Sequence, residues 1–85
     1  MPKEVKIYTT QYCPYCTRAK NLLKSRSIPF QEIDLTDDPE KREKLSAETG
    51  WMTVPMIFIG QEFIGGSDDL HRIAENGQLE AKLKS

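Results

Sequence analysis

Two cysteines, Cys13 and Cys16, constrain this chain more than any other feature, because of where they stand. Ahead of them runs Val5-Lys6-Ile7-Tyr8, β-branched and aromatic like a half-buried strand, and after them a helix-like run continues to about Ser25. Pro14 falls where the first helical residue belongs, a position at which its missing N–H has no partner to lose. Ile28-Pro29 closes the helical stretch, and Phe30 to Leu35 reads as a second strand. Strand, helix and strand in this order form a βαβ unit with a parallel, right-handed crossover. The cysteines therefore lie one helical turn apart at a strand-to-helix junction, close enough to share a disulfide or to pass one to another molecule. The chain has no other cysteine.

Within the first helix Ala19, Leu22 and Leu23 share a face, while Arg18, Lys20 and Lys24 lie off it. Asp38-Pro39 supplies a cap and a first-turn proline for a second helix that runs to about Thr49 and stops at Gly50. Its apolar residues, Leu45 and Ala47, are few, so it should be largely exposed. Val54 to Ile59 is the most apolar run and reads as a central buried strand. Gly60-Gln61 fits a two-residue hairpin returning through Glu62-Phe63-Ile64. After the break at Gly65-Gly66, Ser67 reads as a cap, and Asp68 and Asp69 as the acidic first turn of a helix with Leu70, Ile73 and Ala74 inside. Asn76-Gly77 ends it, and Leu79 and Leu83 add a short final helical turn or two. The order β-α-β-α-β-β-α predicts an α/β fold: a four-stranded mixed sheet with helices on both faces, in a single domain over residues 1–85.

Charge and hydropathy patterning remove several classes of function. Twelve basic residues are offset by 13 acidic ones, with no basic stripe carrying interleaved aromatics, so nucleic acid is not an expected partner. No apolar run reaches membrane-spanning length, and Met1-Pro2-Lys3-Glu4 lacks the apolar stretch of an export signal, so the expected address is cytoplasmic. In a reducing cytosol a lone cysteine pair is catalytic or metal-binding rather than a structural staple. A zinc site needs two further soft ligands, and the chain offers only His71, so no metal is expected.

The remaining reading is thiol chemistry of the thioredoxin-like kind. The nucleophile is the thiolate. With Cys13 at the helix N-cap, the free amides of Tyr15 and Cys16 and the positive end of the helix dipole favour that charged form. Cys16, a turn further in, should be more buried and keep its proton. Cys13 is thus the candidate attacking sulfur and Cys16 the resolving one.

Two more segments carry chemistry. Thr53-Val54-Pro55 places a proline at the start of a central strand, where it has no N–H for the ladder. An ordinary trans proline opening the strand and a cis bond that leaves the Val54 backbone exposed both fit. At Gly66-Ser67-Asp68, backbone N–H groups at a helix start suit a carboxylate, and Asp68 suits an ammonium. A simple capping motif fits that segment equally.

Taken together, Ile7-Tyr8-Thr9, Cys13-Pro14-Tyr15-Cys16, Thr53-Val54-Pro55 and Ile64-Gly65-Gly66-Ser67-Asp68-Asp69-Leu70 resemble a dithiol glutaredoxin of the bacterial type over nearly the whole chain. The resemblance implies a thioredoxin fold, a cis peptide before Pro55, and glutathione as reductant and ligand. It assigns attack to Cys13 and resolution to Cys16. The cysteinyl backbone of glutathione would lie strand-fashion against Val54, with Thr53 and Pro55 in the same contact segment. Gly66, Ser67 and Asp68 would hold the γ-glutamyl end, and Tyr15 would flank the sulfur. Two basic positions common in the family are absent: Thr10 stands three residues before Cys13, and Trp51-Met52 stands just ahead of Thr53. Arg42, on the second helix, sits where the family often places a carboxylate-binding side chain, so it should carry more of the grip, and glutathione should bind more weakly than usual. Trp51 is open to two roles, an apolar surface for protein substrates or a partly buried packing residue. His71 should face solvent.

The expected activity is glutathione-dependent reduction of disulfide-containing and glutathionylated proteins by a monomer, supporting redox homeostasis and electron donation to reductases. Alternatives are a redoxin served by thioredoxin reductase and an iron–sulfur carrier in which two protomers share a cluster; in this family Pro14 is unfavourable for the second.

Overall fold

Strand β1 (Val5–Thr9) is an inner strand of a four-stranded sheet ordered β2-β1-β3-β4. The computed structural model describes residues 3–11 and 13–84; Met1 and Pro2, part of the N-terminus read above for an export signal, lie outside them. β1 pairs in parallel with β2 (Gln31–Asp34) and antiparallel with β3 (Met56–Ile59), which pairs antiparallel with β4 (Glu62–Gly65). The crossover between β1 and β2 is α1 (Pro14–Ser25). Helix α2 (Pro39–Thr49) links β2 to β3, and α3 (Ser67–Glu75) and α4 (Gln78–Lys84) complete the chain. The expected mixed sheet is present.

Strand alternation sorts side chains to the two faces. Val5 and Ile7 of β1 and Ile57 and Ile59 of β3 meet Ala19 and Leu23 of α1, Leu70, Ile73 and Ala74 of α3, and Leu79 of α4. Tyr8, Met56, Phe58 and Phe63 face the other way, with Leu35, Trp51 and Leu45 of α2. Leu45 is the one buried residue of α2, and Ala47 is exposed, as the thin apolar pattern of that helix predicts. Each fully buried Leu or Ile contributes about 1.5–3 kcal/mol of transfer free energy. The larger cluster thus fixes α1, and with it the cysteines, against the sheet.

Several boundaries differ from the sequence reading. β2 is shorter than Phe30 to Leu35, with Phe30 packed on the larger core and Leu35 buried in the smaller. β3 starts at Met56 rather than Val54, since Pro55 cannot donate to the ladder. The cap of α3 is Gly66, not Ser67: the Asp69 carboxylate accepts the Gly66 N–H at 3.1 Å, and Ser67 becomes the buried first residue of the helix. The last turns form a separate seven-residue helix, held by Leu79 in the core.

Candidate active site

Cys13 has extended backbone (φ −107°, ψ 104°) and caps α1, with Pro14 as first helical residue. Its sulfur accepts the Cys16 N–H at 3.3 Å, one of the orphan donors at this helix end. Val54 O lies 3.6 Å from the same sulfur, so the Cys13 thiol donates to a carbonyl from the loop before β3. Both cysteines are free thiols, Cys13 partly exposed and Cys16 buried at 2% exposure. Burial pushes the Cys16 thiol up from 9.0 to about 12, and its hydrogen bond with Cys13 adds to the rise. Cys16 therefore keeps its proton at neutral pH, as the sequence reading expects.

The loop carrying Val54 begins where α2 ends. Gly50 closes that helix in the left-handed region (φ 73°), and the Trp51 N–H donates to Thr49 Oγ1 at 3.1 Å. The indole then stacks edge-on against Phe63 with ring centroids 5.8 Å apart. The Val54–Pro55 peptide bond is cis. Beyond it, the chain passes through β3 and β4 to the α3 N-terminus, which returns beside the loop.

These pieces enclose a groove of about 410 Å³ lined by Tyr15, Trp51, Thr53, Val54, Pro55 and the Gly66–Asp69 segment. Seven residues singled out from the sequence, namely Tyr15, Thr53, Val54, Pro55, Gly66, Ser67 and Asp68, thus share one surface, and Val54 connects it to the Cys13 sulfur. Asp68 is exposed on the wall, and Tyr15, two residues after Cys13, is 55% exposed. Arg42 is half-buried on α2 and is not part of that lining.

Asp69, a groove residue, and His71, further along α3 and outside the lining, depart from the sequence reading. Asp69 is committed structurally, accepting from Gly66 and from Arg72 at 2.9 Å; its three-residue spacing from Gly66 is the signal that was available. His71 does not simply face solvent: its Nδ1 is 2.8 Å from Ser67 O, and since a carbonyl only accepts, Nδ1 carries a proton. Trp51, left open between two roles, combines a packing position with a place in the groove. Its Nε1–H is buried without a hydrogen-bond partner among the described residues.

A second groove of about 590 Å³ opens on the other side of the cysteines, lined by Cys13 and Cys16 together with Thr9, Thr10, Lys20, Glu32 and Asp34 among others. There Glu32 Oε2 accepts from Lys20 Nζ at 3.0 Å and from buried Thr9 Oγ1 at 2.8 Å. The Lys20 ammonium foremost, and then the Thr9 hydroxyl, hold the Glu32 carboxyl below its ordinary value. No sequence pattern announces this network, because its members come from three different elements.

The glutaredoxin family's sequence profile matches residues 5–64. The chain belongs to the glutaredoxin family. It is 48% identical to a glutaredoxin of Pseudomonas aeruginosa over 85 residues, the full length of both. Over 80 residues it is 46% identical to glutaredoxin 3 of Escherichia coli, covering 94% of this chain and 96% of that one. The structure of a buckwheat glutaredoxin–glutathione complex superposes with a TM-score of 0.87 at 31% identity, covering 96% of this chain and 77% of the other. Glutaredoxins are glutathione-dependent thiol–disulfide oxidoreductases, and that is the activity of this chain. The thioredoxin-type sheet is the family's framework, and in this chain Trp51 and Met52 stand ahead of Thr53.

Proposed function

We propose that Cys13 is the attacking sulfur and Cys16 the resolving sulfur, and that glutathione lies in the groove between the Thr53–Pro55 loop and the start of α3. The supporting observation is the Cys13 sulfur itself: at a helix N-cap, 3.3 Å from the Cys16 N–H, and 3.6 Å from the carbonyl oxygen of a groove residue. In this arrangement the Val54 backbone pairs with the cysteinyl unit of glutathione in strand fashion. Ser67 at the α3 start takes the γ-glutamyl carboxylate and Asp68 its ammonium, while Gly66, its own N–H held by Asp69, bounds that end of the groove. Thr53, Pro55 and Tyr15 wall the thiol end. Arg42, on α2 outside the groove lining, is assigned to the glycyl carboxylate.

The protein substrates in this reading are disulfide-containing and glutathionylated proteins, reduced by a single-domain monomer in the cytoplasm. The reading is supported by relatives of matching length, by an exposed Tyr15 two residues after Cys13, and by the reducing conditions that keep a lone cysteine pair catalytic. With a glutathionylated protein, the Cys13 thiolate attacks the glutathione sulfur. A bond forms between Cys13 and glutathione, and the protein thiolate leaves and takes up a proton. A second glutathione thiolate then attacks the bound glutathione sulfur, releasing glutathione disulfide and the Cys13 thiolate. With a protein disulfide, Cys13 forms the mixed disulfide and Cys16 displaces the protein thiol, leaving the Cys13–Cys16 disulfide for glutathione to reduce.

The test is turnover of a small glutathione mixed disulfide with glutathione and glutathione reductase, with thioredoxin reductase assayed in parallel. Cys13→Ser is expected to abolish turnover, and Cys16→Ser to retain it while losing protein-disulfide reduction. Activity remaining in Cys13→Ser overturns the assignment. Arg42→Ala is expected to raise the KM for glutathione several-fold, and an unchanged KM removes Arg42 from the site.

A further inference from the structure

Cys16 poses a problem that the groove holding glutathione does not solve. To close the disulfide it must attack as a thiolate, yet it is buried and its thiol is pushed up to about 12. On its own side of the molecule a backbone hydrogen bond from Thr10 favours the charge, and a positive side chain can add to it. The groove on that side contains one basic side chain among the described residues, Lys20, four residues after Cys16 on α1. Residues at this spacing share a helix face, and helical side chains tilt toward the N-terminus, so the Lys20 stem leans back over the turn that carries Cys16. Its ammonium is held at 3.0 Å by Glu32 on β2, and Glu32 is fixed in turn by Thr9 on β1.

We propose that Lys20 is a positioning residue for the resolving step: its ammonium stabilises the Cys16 thiolate, and Glu32 sets how much of that charge is available. The inference rests on the assignment of Cys13 and Cys16 above. As Cys16 loses its proton to solvent in the open groove, the ammonium swings from Glu32 toward the sulfur, a short movement for a flexible four-carbon stem. The Cys16 thiolate then attacks Cys13 Sγ. The Cys13–Cys16 bond forms, the bond from Cys13 to the substrate sulfur breaks, and the electron pair leaves on the substrate thiolate, which takes up the proton. Among the described residues, the charged and titratable groups that line this groove with Cys16 are Cys13 at the α1 N-cap, Lys20 on α1, and Glu32 and Asp34 on β2. Helix α3 meets the core with Leu70, Ile73 and Ala74, and its acids Asp68 and Asp69 line the opposite groove. Lys20 is accordingly the favourable charge among these groups, opposed by two carboxylates.

The experiment is stopped-flow reaction of the reduced protein with an aryl disulfide that releases a coloured thiolate. One equivalent appears when Cys13 attacks and a second when Cys16 resolves. Loss of the Lys20 charge that raises the Cys16 pKa by one unit lowers the thiolate fraction tenfold, and the more basic thiolate recovers about threefold in nucleophilicity. Lys20→Met is therefore expected to slow the second phase about threefold at neutral pH and to move its pH profile upward, with Lys20→Arg restoring both. Glu32→Gln, which frees the ammonium and removes a negative charge, is expected to move rate and profile the other way. In a Cys16→Ser background, adding Lys20→Met is expected to change nothing further in the first phase. A purely structural ion pair would make the two variants alike, so a shift of the second phase in the same direction for both, or none for Lys20→Met, overturns the proposal. A missing second equivalent in the unsubstituted protein instead overturns the Cys13 and Cys16 assignment on which it rests.

Discussion

The Cys13 sulfur and the Val54 carbonyl oxygen lie 3.6 Å apart although 41 positions separate them in the chain. The contact joins the start of α1 to the loop before β3, and it depends on the protonation of the sulfur. A thiol donates to the carbonyl; a thiolate or a disulfide sulfur has no proton to give. When Cys13 reacts, the Val54 oxygen loses its donor and becomes free to accept from an incoming backbone.

That relationship predicts how a modified glutathione behaves. With Val54 O accepting the cysteinyl N–H, replacing the γ-glutamyl–cysteine amide by an ester removes the donor. A net hydrogen bond contributes about 0.5–1.5 kcal/mol, so the KM for the ester analogue should rise roughly two- to tenfold. Steady-state kinetics with both thiols checks it; equal KM values would remove Val54 from the binding site.

The α3 N-terminus depends on a glycine outside the groove. Gly65 has φ +122°, and a Cβ there would sit 2.6 Å from Asp69 Oδ2, the atom that accepts from Gly66. Gly65→Ala is expected to destabilise the protein by about 1–3 kcal/mol from backbone strain, with loss of the Asp69 cap in addition. Asp69→Ala loses the cap and an exposed ion pair with Arg72, about 1 kcal/mol in all because the exposed pair adds little. Urea unfolding of both variants gives the order; a Gly65→Ala loss smaller than that of Asp69→Ala would show that the backbone there accepts a Cβ without strain.

Reduced protein should lose stability in alkali in a manner set by Cys16. Burial raises this thiol from 9.0 to about 12. An acid whose folded value is raised contributes stability that is fully present below the unfolded value and is lost as pH rises through the folded one. The decline therefore falls between about pH 9 and pH 12. Cys16→Ala should flatten that part of the curve, measured by thermal unfolding under reducing conditions. Identical alkaline slopes for the two proteins would refute it.

What was readable beforehand and what was not divide along physical lines. The βαβ unit, the cysteines at the helix start and the inner faces of α1 and α3 follow from local pattern, since Ala19, Leu23, Leu70 and Ile73 sit at helical spacing and are buried where that spacing places them. The gathering of Thr53–Pro55 and Gly66–Asp68 around one groove came from family resemblance, because no local rule brings those segments together. The choice between Gly66 and Ser67 as cap was decided by the reach of a third residue, Asp69. The Lys20–Glu32–Thr9 network is tertiary throughout: Glu32 follows Lys20 by 12 residues and Thr9 by 23, and only the parallel pairing of β1 with β2 brings them together. His71 reads as solvent-facing from the sequence, whereas its ring folds back onto the carbonyl of Ser67, a contact within α3 that no pattern of apolar residues marks.

Trp51 offers the last prediction, because two opposing effects meet in it. Its indole stacks on Phe63, and a Cβ added at Gly66 would come within 3.4 Å of it, so the ring forms the groove wall where the α3 start closes in. Its Nε1–H, however, is buried without a partner among the described residues, and an unmet donor costs about 1–3 kcal/mol. Trp51→Phe gives up part of the apolar contact and removes that penalty, so its stability should stay within about 1 kcal/mol of the parent. Trp51→Ala removes the same unmet donor but loses the contact outright, and should cost about 3 kcal/mol, the low end for a large aromatic because the ring is only partly buried and that donor is gone. It should also raise the KM for glutathione, since the wall of the groove is gone, while Trp51→Phe leaves KM near its original value. Unfolding is best followed by circular dichroism, as Trp51 is the only tryptophan in the chain. A Trp51→Phe variant as unstable as Trp51→Ala would show that the buried N–H is satisfied in solution.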